Sequence, residues 1–416
     1  MGKPFLILLA FLPGHVGAQD WQVYDMSTAA FPSVTVQCVA QDPEGNIWAG
    51  TDWGLCIQDG AEWSILQTTN SGSPDNNIRA IAFDAQGAAW IGTLQSGLVH
   101  FDGATWTAFT MADSPLPDDQ VNAVVVDGQG RVWIGTPNGL AMKDGDVWRI
   151  YDDSPESHAG FRFFGRHITS IAAGVDGTMA ATTMNGGYAC FNETEFICYT
   201  SGVHTFPDNS GYAVAFDATG DRWVGTSTSG IVRHAGPFLD ALWFPYTVQN
   251  SGLPDNTIRA VAVHDNGTKF LGTEIAGLAV LDAQGNWSIL NEANSGLPDD
   301  QVRCLLVDRD GALWVGTWQG GLARYAPTVG INDPSARNQW INAWPNPFQD
   351  HVFVGLQDLE SKVEWSVVDR LGRMVANGTT ATDTLLELNL GHLLTGAYVL
   401  RIVQACSVHV VHLVKS

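Results

Sequence analysis

A tetrapeptide of the form Trp-Ile-Gly-Thr recurs along the chain at a nearly constant interval. The clearest copy is Trp90-Ile91-Gly92-Thr93, and Trp48-Ala49-Gly50-Thr51, Trp133-Ile134-Gly135-Thr136, Trp223-Val224-Gly225-Thr226 and Trp314-Val315-Gly316-Thr317 keep its outline. Met179-Ala180-Ala181-Thr182 and Phe270-Leu271-Gly272-Thr273 read as degenerate copies. The first residues fall at 48, 90, 133, 179, 223, 270 and 314, in steps of 42, 43, 46, 44, 47 and 44. A period in that range means a repeat architecture, in which each unit buries its apolar face only against its neighbours.

One full unit is legible from Asn76 to Phe109. Ile78 to Asp84 alternates as a strand, and Asp84-Ala85-Gln86-Gly87 is a hairpin turn whose glycine accepts positive φ. Ala89 to Thr93, Gly97 to Phe101 and Trp106 to Phe109 supply three more strands. Four antiparallel strands per unit, repeated radially, predict a β-propeller blade. The fourth-strand signature returns as Trp63-Ser64-Ile65-Leu66, Trp148-Arg149-Ile150-Tyr151 and Trp287-Ser288-Ile289-Leu290, and in weaker form at Phe196 to Tyr199 and Trp243 to Tyr246.

The seventh unit stops at Tyr325 without a fourth strand, whereas Trp21-Gln22-Val23-Tyr24 is a fourth strand without a unit. The N-terminal strand is therefore expected to complete the last blade, which removes the open edge of the array. The fold class predicted is all-β: a seven-bladed propeller closed by the N-terminal strand, followed by a small immunoglobulin-like β-sandwich. Unit four departs most from the pattern. It carries an insertion, Ser157 to His167, on the face of the interblade linkers; its Phe161-Arg162-Phe163-Phe164 is expected to fold back and replace the missing Trp, the alternative being exposed aromatics that form a partner site.

Composition limits the partners. The net charge is −23, which opposes nucleic acid and anionic membrane surfaces. The N-terminus has the pattern of a secretory signal peptide: Lys3, an apolar run from Phe5 to Leu12, and Val16-Gly17-Ala18 before the expected cut. That run is too short to span a bilayer, and no transmembrane segment is expected in the mature chain. The expected divisions are signal peptide 1–18, propeller 19–326, linker 327–338 and a C-terminal domain 339–416.

The repeat resembles the two-component regulator propeller repeat through strand openings such as Ile78-Arg79-Ala80-Ile81-Ala82-Phe83-Asp84, through Trp-Ile-Gly-Thr, and through Asn250-Ser251-Gly252-Leu253-Pro254-Asp255. In that family such propellers form extracellular sensor regions, which implies the fold and a ligand-binding role here. The C-terminal segment resembles the type IX secretion sorting domain through Trp344-Pro345-Asn346-Pro347-Phe348, Val368-Asp369-Arg370-Leu371-Gly372-Arg373, Leu394-Thr395-Gly396-Ala397-Tyr398-Val399 and Leu413-Val414-Lys415. That resemblance implies the type IX machinery as a partner, passage across the outer membrane, and a secreted or cell-surface product.

The expected ligand site lies on the face shared by the interblade linkers and the loops between second and third strands. Near the start of each first strand sits Gln37, Arg79, Asn122, Thr169, Tyr212, Arg259 or Arg303, each followed by a small residue. Small residues let the inner strands crowd the axis, so the larger polar neighbours are expected to ring the channel mouth. Trp53 and Trp318 are expected beside them after ring closure. Aromatic faces with polar groups suit a glycan, a peptide or an aromatic ligand, and arginines suit a carboxylate or sulfate. The expected ligand-binding set is thus Gln37, Trp53, Arg79, Tyr212, Arg259, Arg303 and Trp318.

Catalysis has weaker support. His167, His204, His264 and Glu274 are the nearest acid–base candidates, and no nucleophile motif accompanies them. The principal expectation is a non-enzymatic recognition propeller; an extracellular lyase or hydrolase and a structural adhesion component are the alternatives. No metal or cofactor is expected, because the aspartate turns lack calcium-loop spacing and no Cys-x-x-Cys pair occurs. Cys38 and Cys304 occupy equivalent positions on neighbouring inner strands, so a disulfide there would staple the closure if the geometry allowed it. Cys190 and Cys198 are out of register for a bridge.

Overall fold

The structure, a computed structural model, describes residues 21–152, 165–202, 206–236, 242–326, 343–344, 349–355, 363–369, 374–380, 385–404 and 407–415. The expected signal peptide, the linker 327–338, Phe161 to Phe164 and His204 lie outside the described residues. Contacts divide the chain into Met1–Pro327 and Thr328–Ser416. All regular structure among the described residues is strand.

The first unit is a seven-bladed β-propeller with four antiparallel strands per blade. Blade 1 runs through Val36–Gln41, Ile47–Thr51, Leu55–Asp59 and Glu62–Leu66; blade 2 through Ile78–Phe83, Ala89–Thr93, Leu98–Phe101 and Trp106–Phe109. The inner strands of blades 3 to 7 are Ala123–Val126, Ile168–Ala173, Gly211–Phe216, Ile258–Val263 and Val302–Val307. Trp21–Tyr24 pairs with Leu322–Tyr325 in the register Trp21 to Tyr325 and Tyr24 to Leu322. The first strand of the chain thus forms the outer strand of blade 7, and every blade has four strands.

Each position of the repeated phrase does one physical task. The Trp indole donates to the aspartate that opens the preceding hairpin turn: Trp48 to Asp42 at 3.0 Å, Trp133 to Asp127 at 2.8 Å, Trp223 to Asp217 at 2.9 Å and Trp314 to Asp308 at 2.8 Å, with Trp90 to Asp84 longer at 3.4 Å. The other carboxylate oxygen of the aspartate accepts turn amides, as Asp308 does from Asp310 and Ala312. One side chain therefore closes the turn and satisfies a buried indole. The phrase threonine donates to a glycine carbonyl across the next loop, as Thr93 does to Gly97 at 2.9 Å. Gly97 has φ 70°, and a Cβ there would lie 2.1 Å from the Phe109 carbonyl oxygen, so only glycine fits.

The phrase glycine sets blade spacing. A Cβ on Gly92 would lie 2.7 Å from Val121 Cγ1, and one on Gly135 would lie 2.6 Å from Ile168 Cγ2. Both neighbours are fully buried residues where the chain enters the next blade. A branched side chain of one blade thus packs directly on the backbone of the one before.

Blade 4 corrects the sequence reading by one residue. Ala172 pairs with Ala180 and Ser170 with Thr182, just as Ala82 pairs with Trp90 and Ala80 with Gly92. The phrase in this blade is therefore Ala180-Ala181-Thr182-Thr183. Ala180 stands where the other blades have Trp or Phe, and Thr182 stands for the glycine. The missing ring is supplied by Tyr188, which stacks on Tyr199 at 5.8 Å, matching Trp223 on Tyr246 at 5.8 Å. Phe206 joins the same core beside Ala180 and Tyr188, where the corresponding cluster of blade 2 holds Trp90, Leu98 and Leu116. The blade and its linker thus supply two rings to this core; the insertion's Phe161 to Phe164, expected to fill it, lie outside the described residues.

The disulfide expectation fails on geometry. Cys38 and Cys304 are free thiols. Cys38 Sγ points toward the Ile78 carbonyl at 4.0 Å and Cys304 Sγ toward the Val36 carbonyl at 3.9 Å. Each faces one blade onward, because rotational symmetry arranges equivalent side chains head to tail. Burial pushes the Cys38 thiol up to about 12 and the Cys304 thiol well above its ordinary value, so both stay protonated. Cys190 pairs with Ile197, so it and Cys198 are out of register as expected.

The second unit contains two antiparallel sheets. One joins Ala343–Trp344, His351–Gly355 and Leu385–Asn389; the other joins Met374–Thr380, Val363–Asp369, Gly396–Gln404 and Ser407–Lys415. Val352, Val354 and Leu388 of the first share one core with Val367, Tyr398 and Leu400 of the second. Lys415 is buried, and its ammonium donates to the carbonyls of Gln349, Leu390 and Gly391.

Candidate functional site

Six of the seven inner strands shift register at their second residue. The shift lies between Val36 and Cys38, Ile78 and Ala80, Ile168 and Ser170, Gly211 and Ala213, Ile258 and Ala260, and Val302 and Cys304. A bulge leaves its extra residue unpaired and re-aims the side chain. The extra residues are Gln37, Arg79, Thr169, Tyr212, Arg259 and Arg303. Together with Asn122 of blade 3 they line one cavity of about 230 Å³, which His167 and Met184 complete.

Tyr212 lines this cavity, whereas the two expected tryptophans do not. Trp318 packs against the cavity residue Arg303, whose guanidinium carbon is 4.1 Å from the Trp318 ring centroid, but does not itself line the cavity. Trp53 is 61% exposed on its loop and is likewise absent from the lining. Sequence reasoning omitted His167 and Met184 from the ligand-binding set. His167 immediately precedes the first strand of blade 4, so the linker position was the available signal.

The three arginines have different surroundings. Arg259 pairs with Glu274 and stacks on Tyr212, with its guanidinium carbon 4.0 Å from the ring centroid. Arg79 Nε is buried without a hydrogen-bond partner among the described residues. Burial lowers the Arg79 pKa, and Asp75 opposes that effect. Burial also lowers that of Arg303; Glu274 and Asp299 oppose the shift, while Arg259 and Arg79 add to it. Like charges therefore already work against one another at the mouth. His167 is lowered by burial and by Arg79, against Asp118, which favours a neutral imidazole near neutral pH. Asn122 Nδ2 lies 3.3 Å from its Nε2.

Aspartates from the interblade linkers form an outer rim. Asp75 accepts from the Asn77 and Gln95 amides at 2.9 Å each, Asp118 from Gln120 and Asn138, and Asp299 from Gln301 and Gln319. Asp208 and Asp255 repeat the arrangement in blades 5 and 6. These carboxylates hold linkers to the loops between second and third strands. Of the remaining acid–base candidates, Glu274 is committed to Arg259, and His264 occupies the turn between first and second strands, at the other end of its blade. Among the described residues, no group of three or more His, Cys, Asp or Glu side chains is arranged to hold a metal ion.

Comparisons with known proteins agree with the fold. Residues 30–53, 72–95, 115–138 and 296–319 match the two component regulator propeller model, and residues 342–416 match the secretion system C-terminal sorting domain. The chain therefore carries two-component regulator propeller repeats and a type IX sorting tail, which marks it for export to the cell surface or medium. No helix among the described residues is long and apolar enough to cross a membrane. No curated protein matches the chain.

Among solved structures, the extracellular domain of a B. thetaiotaomicron protein named as the hybrid two component system BT3049 is 17% identical. The match covers 95% of this chain and 57% of that one, with a TM-score of 0.64. PorZ, a surface component of the type-IX secretion system of Porphyromonas gingivalis, is also 17% identical, covering 90% of this chain and 59% of that one at a TM-score of 0.57. Virginiamycin B lyase from Staphylococcus aureus is 11% identical, covering 73% of this chain and 98% of that one at a TM-score of 0.57. The chain thus spans under two thirds of the first two, and all three likenesses concern the fold.

Proposed function

We propose that this protein is a recognition propeller, delivered to the cell surface or the medium by type IX export, which binds its ligand at the channel mouth on the linker face. The observation carrying this reading is the convergence of one bulged or strand-entering residue from every blade on a single cavity. A bulge repeated six times aims side chains inward at a site that ring closure alone does not require. In this reading the signal peptide is cut after Ala18, residues 19–326 do the binding, and residues 339–416, an immunoglobulin-like sandwich, serve sorting through the type IX machinery.

Pull-down from surface extracts and glycan arrays, with wild-type protein beside Gln37→Ala and Arg303→Ala variants, tests the reading. Capture lost in both folded variants supports it. Capture indifferent to both, or no capture of any partner, defeats it. A second reading, a lyase or hydrolase acting at the same mouth, is favoured by the neutral His167 on the cavity wall. It requires a turnover that His167→Ala abolishes while binding persists.

A further inference from the structure

The mouth is a small cationic centre inside an acidic rim, on a chain of net charge −23. Arg79, Arg259 and Arg303 line the cavity, and among the described residues only Arg259 holds a carboxylate partner there. Arg79, a residue of the cavity lining, keeps a buried Nε–H with no acceptor among the described residues, so one donor of its guanidinium fork is unsatisfied. An unpaired buried donor costs free energy that a bound acceptor returns. The adjacent rim aspartates are already bonded to backbone amides and cannot swing in to neutralise these arginines without releasing the loops they hold.

Resting on the mouth-binding reading above, we infer that the ligand presents a single compact carboxylate to Arg79 and Arg303 and has an otherwise neutral body. The cavity volume, about 230 Å³, admits one terminal group rather than a whole oligomer. The rim supplies the selectivity. An extended polyanion would lay its further charges over the linker aspartates and be repelled, whereas one terminal carboxylate reaches the centre and leaves a neutral chain against the rim. A peptide C-terminus and a terminal uronic acid both present this chemistry.

The test uses the exported chain and paired probes: N-acetylated tripeptides with free or amidated C-termini, and glucuronate- or glucose-terminated trisaccharides, titrated by calorimetry. A low-molecular-weight sulfated polysaccharide serves as competitor. The expected result is that one acid of a pair binds about tenfold or more tighter than its neutral partner. That preference should disappear in Arg79→Gln and Arg303→Ala, survive in part in Arg303→Lys, and withstand the polyanion. Thermal melting shows that each variant is folded, and the tighter pair identifies the source as peptide or sugar. Equal binding of acid and neutral probes, lost together in the variants, overturns the carboxylate inference and leaves the mouth as the site. An acid preference unchanged in folded variants overturns both readings. Displacement by the polyanion, or no binding by any probe, overturns the inference.

Discussion

Blades 2 and 4 solve the same packing problem with different residues. Blade 2 fills its core with the Trp90 indole, stacks it on Phe109 at 6.0 Å, and gives the indole N–H to Asp84. Blade 4 has Ala180 at that place and Gly174 in place of the turn aspartate. Blade 6 shows the same double loss, with Phe270 for Trp and His264 for Asp. Indole and carboxylate therefore disappear together, because the carboxylate near the core needs the buried N–H as much as the N–H needs it.

The glycine position shows a second exchange. Blade 2 sets Gly92 against Val121, small against large; blade 4 sets Thr182 against Gly211, large against small, with a Cβ on Gly211 only 2.7 Å from Thr182 Cβ. Volume is conserved across the blade interface while its distribution is reversed. What the repeat preserves is the filled space and the satisfied polar atom.

The equivalence of the two blades breaks most readily at the indole. Trp314→Ala should cost about 3–5 kcal/mol, read as a lowered denaturation midpoint, because it opens a cavity and strands Asp308. The reverse change, Ala180→Trp, should also destabilise, by overpacking against Tyr188 and Phe206. Adding Tyr188→Leu and Phe206→Leu should recover most of that loss. Failure of the triple variant to recover would refute the exchange of Tyr188 for the indole.

Blade 4's solution also introduces titratable groups. Tyr188 brings a hydroxyl into the core, 3.3 Å from His234 Nδ1, while Arg222 approaches His234 Nε2 at 3.1 Å. Burial, then the Arg222 charge, pushes the His234 pKa down to about 3. Its folded value lies below its unfolded one, so its contribution is complete above the unfolded value. That contribution is lost as pH falls from about 6.5 toward 3, at up to about 1.4 kcal/mol per pH unit. Thermal melts across this window should show the decline in wild type and a flatter profile in His234→Gln. Identical profiles would remove His234 as the cause.

Much of this was legible in the sequence, and the gaps have physical reasons. Five copies of the phrase retain Trp, and Phe270 preserves an aromatic, so the spacing revealed seven blades and the unpaired Trp21 strand revealed the closure. Blade 4 was misread by one residue because Met179 offers bulk where Trp was expected, and Thr182-Thr183 offers two candidates for the final threonine. The actual anchor is the turn, whose Gly174 lies six residues before Ala180 as Asp84 lies before Trp90. The cavity ring was found from the small residue that follows each member. Trp53 and Trp318 were placed on it because loop position gives the face but not the side-chain direction.

The exchange at the glycine position gives a smaller effect. Gly92→Thr should cost about 2–3 kcal/mol, because its new Cβ would meet both the side chain and the carbonyl of Val121. Val121→Gly added to it reproduces the blade 4 pairing and should restore part of the loss. A double-mutant cycle with no coupling would show that each interface tolerates volume independently.

The smallest effect expected concerns the carboxylate. Asp127 accepts from Trp133 and also pairs with Arg131 at 2.6 Å. Burial alone would raise its pKa, but the bonds from Trp133, Arg131 and the turn amides outweigh burial and hold it below 3.8. Its contribution is therefore complete above the unfolded value and is lost as pH falls through the lower folded value. Asp127→Asn keeps the shape and an acceptor but removes the charge, and should cost about 1.5 kcal/mol at neutral pH. Its stability should then fall less steeply than wild type in melts taken below about pH 4, where the wild-type carboxylate begins to protonate on unfolding. Gly174→Asp in blade 4 should gain nothing, since no indole waits there to receive it; a gain equal to the Asp127 loss would mean that the aspartate acts through the turn alone.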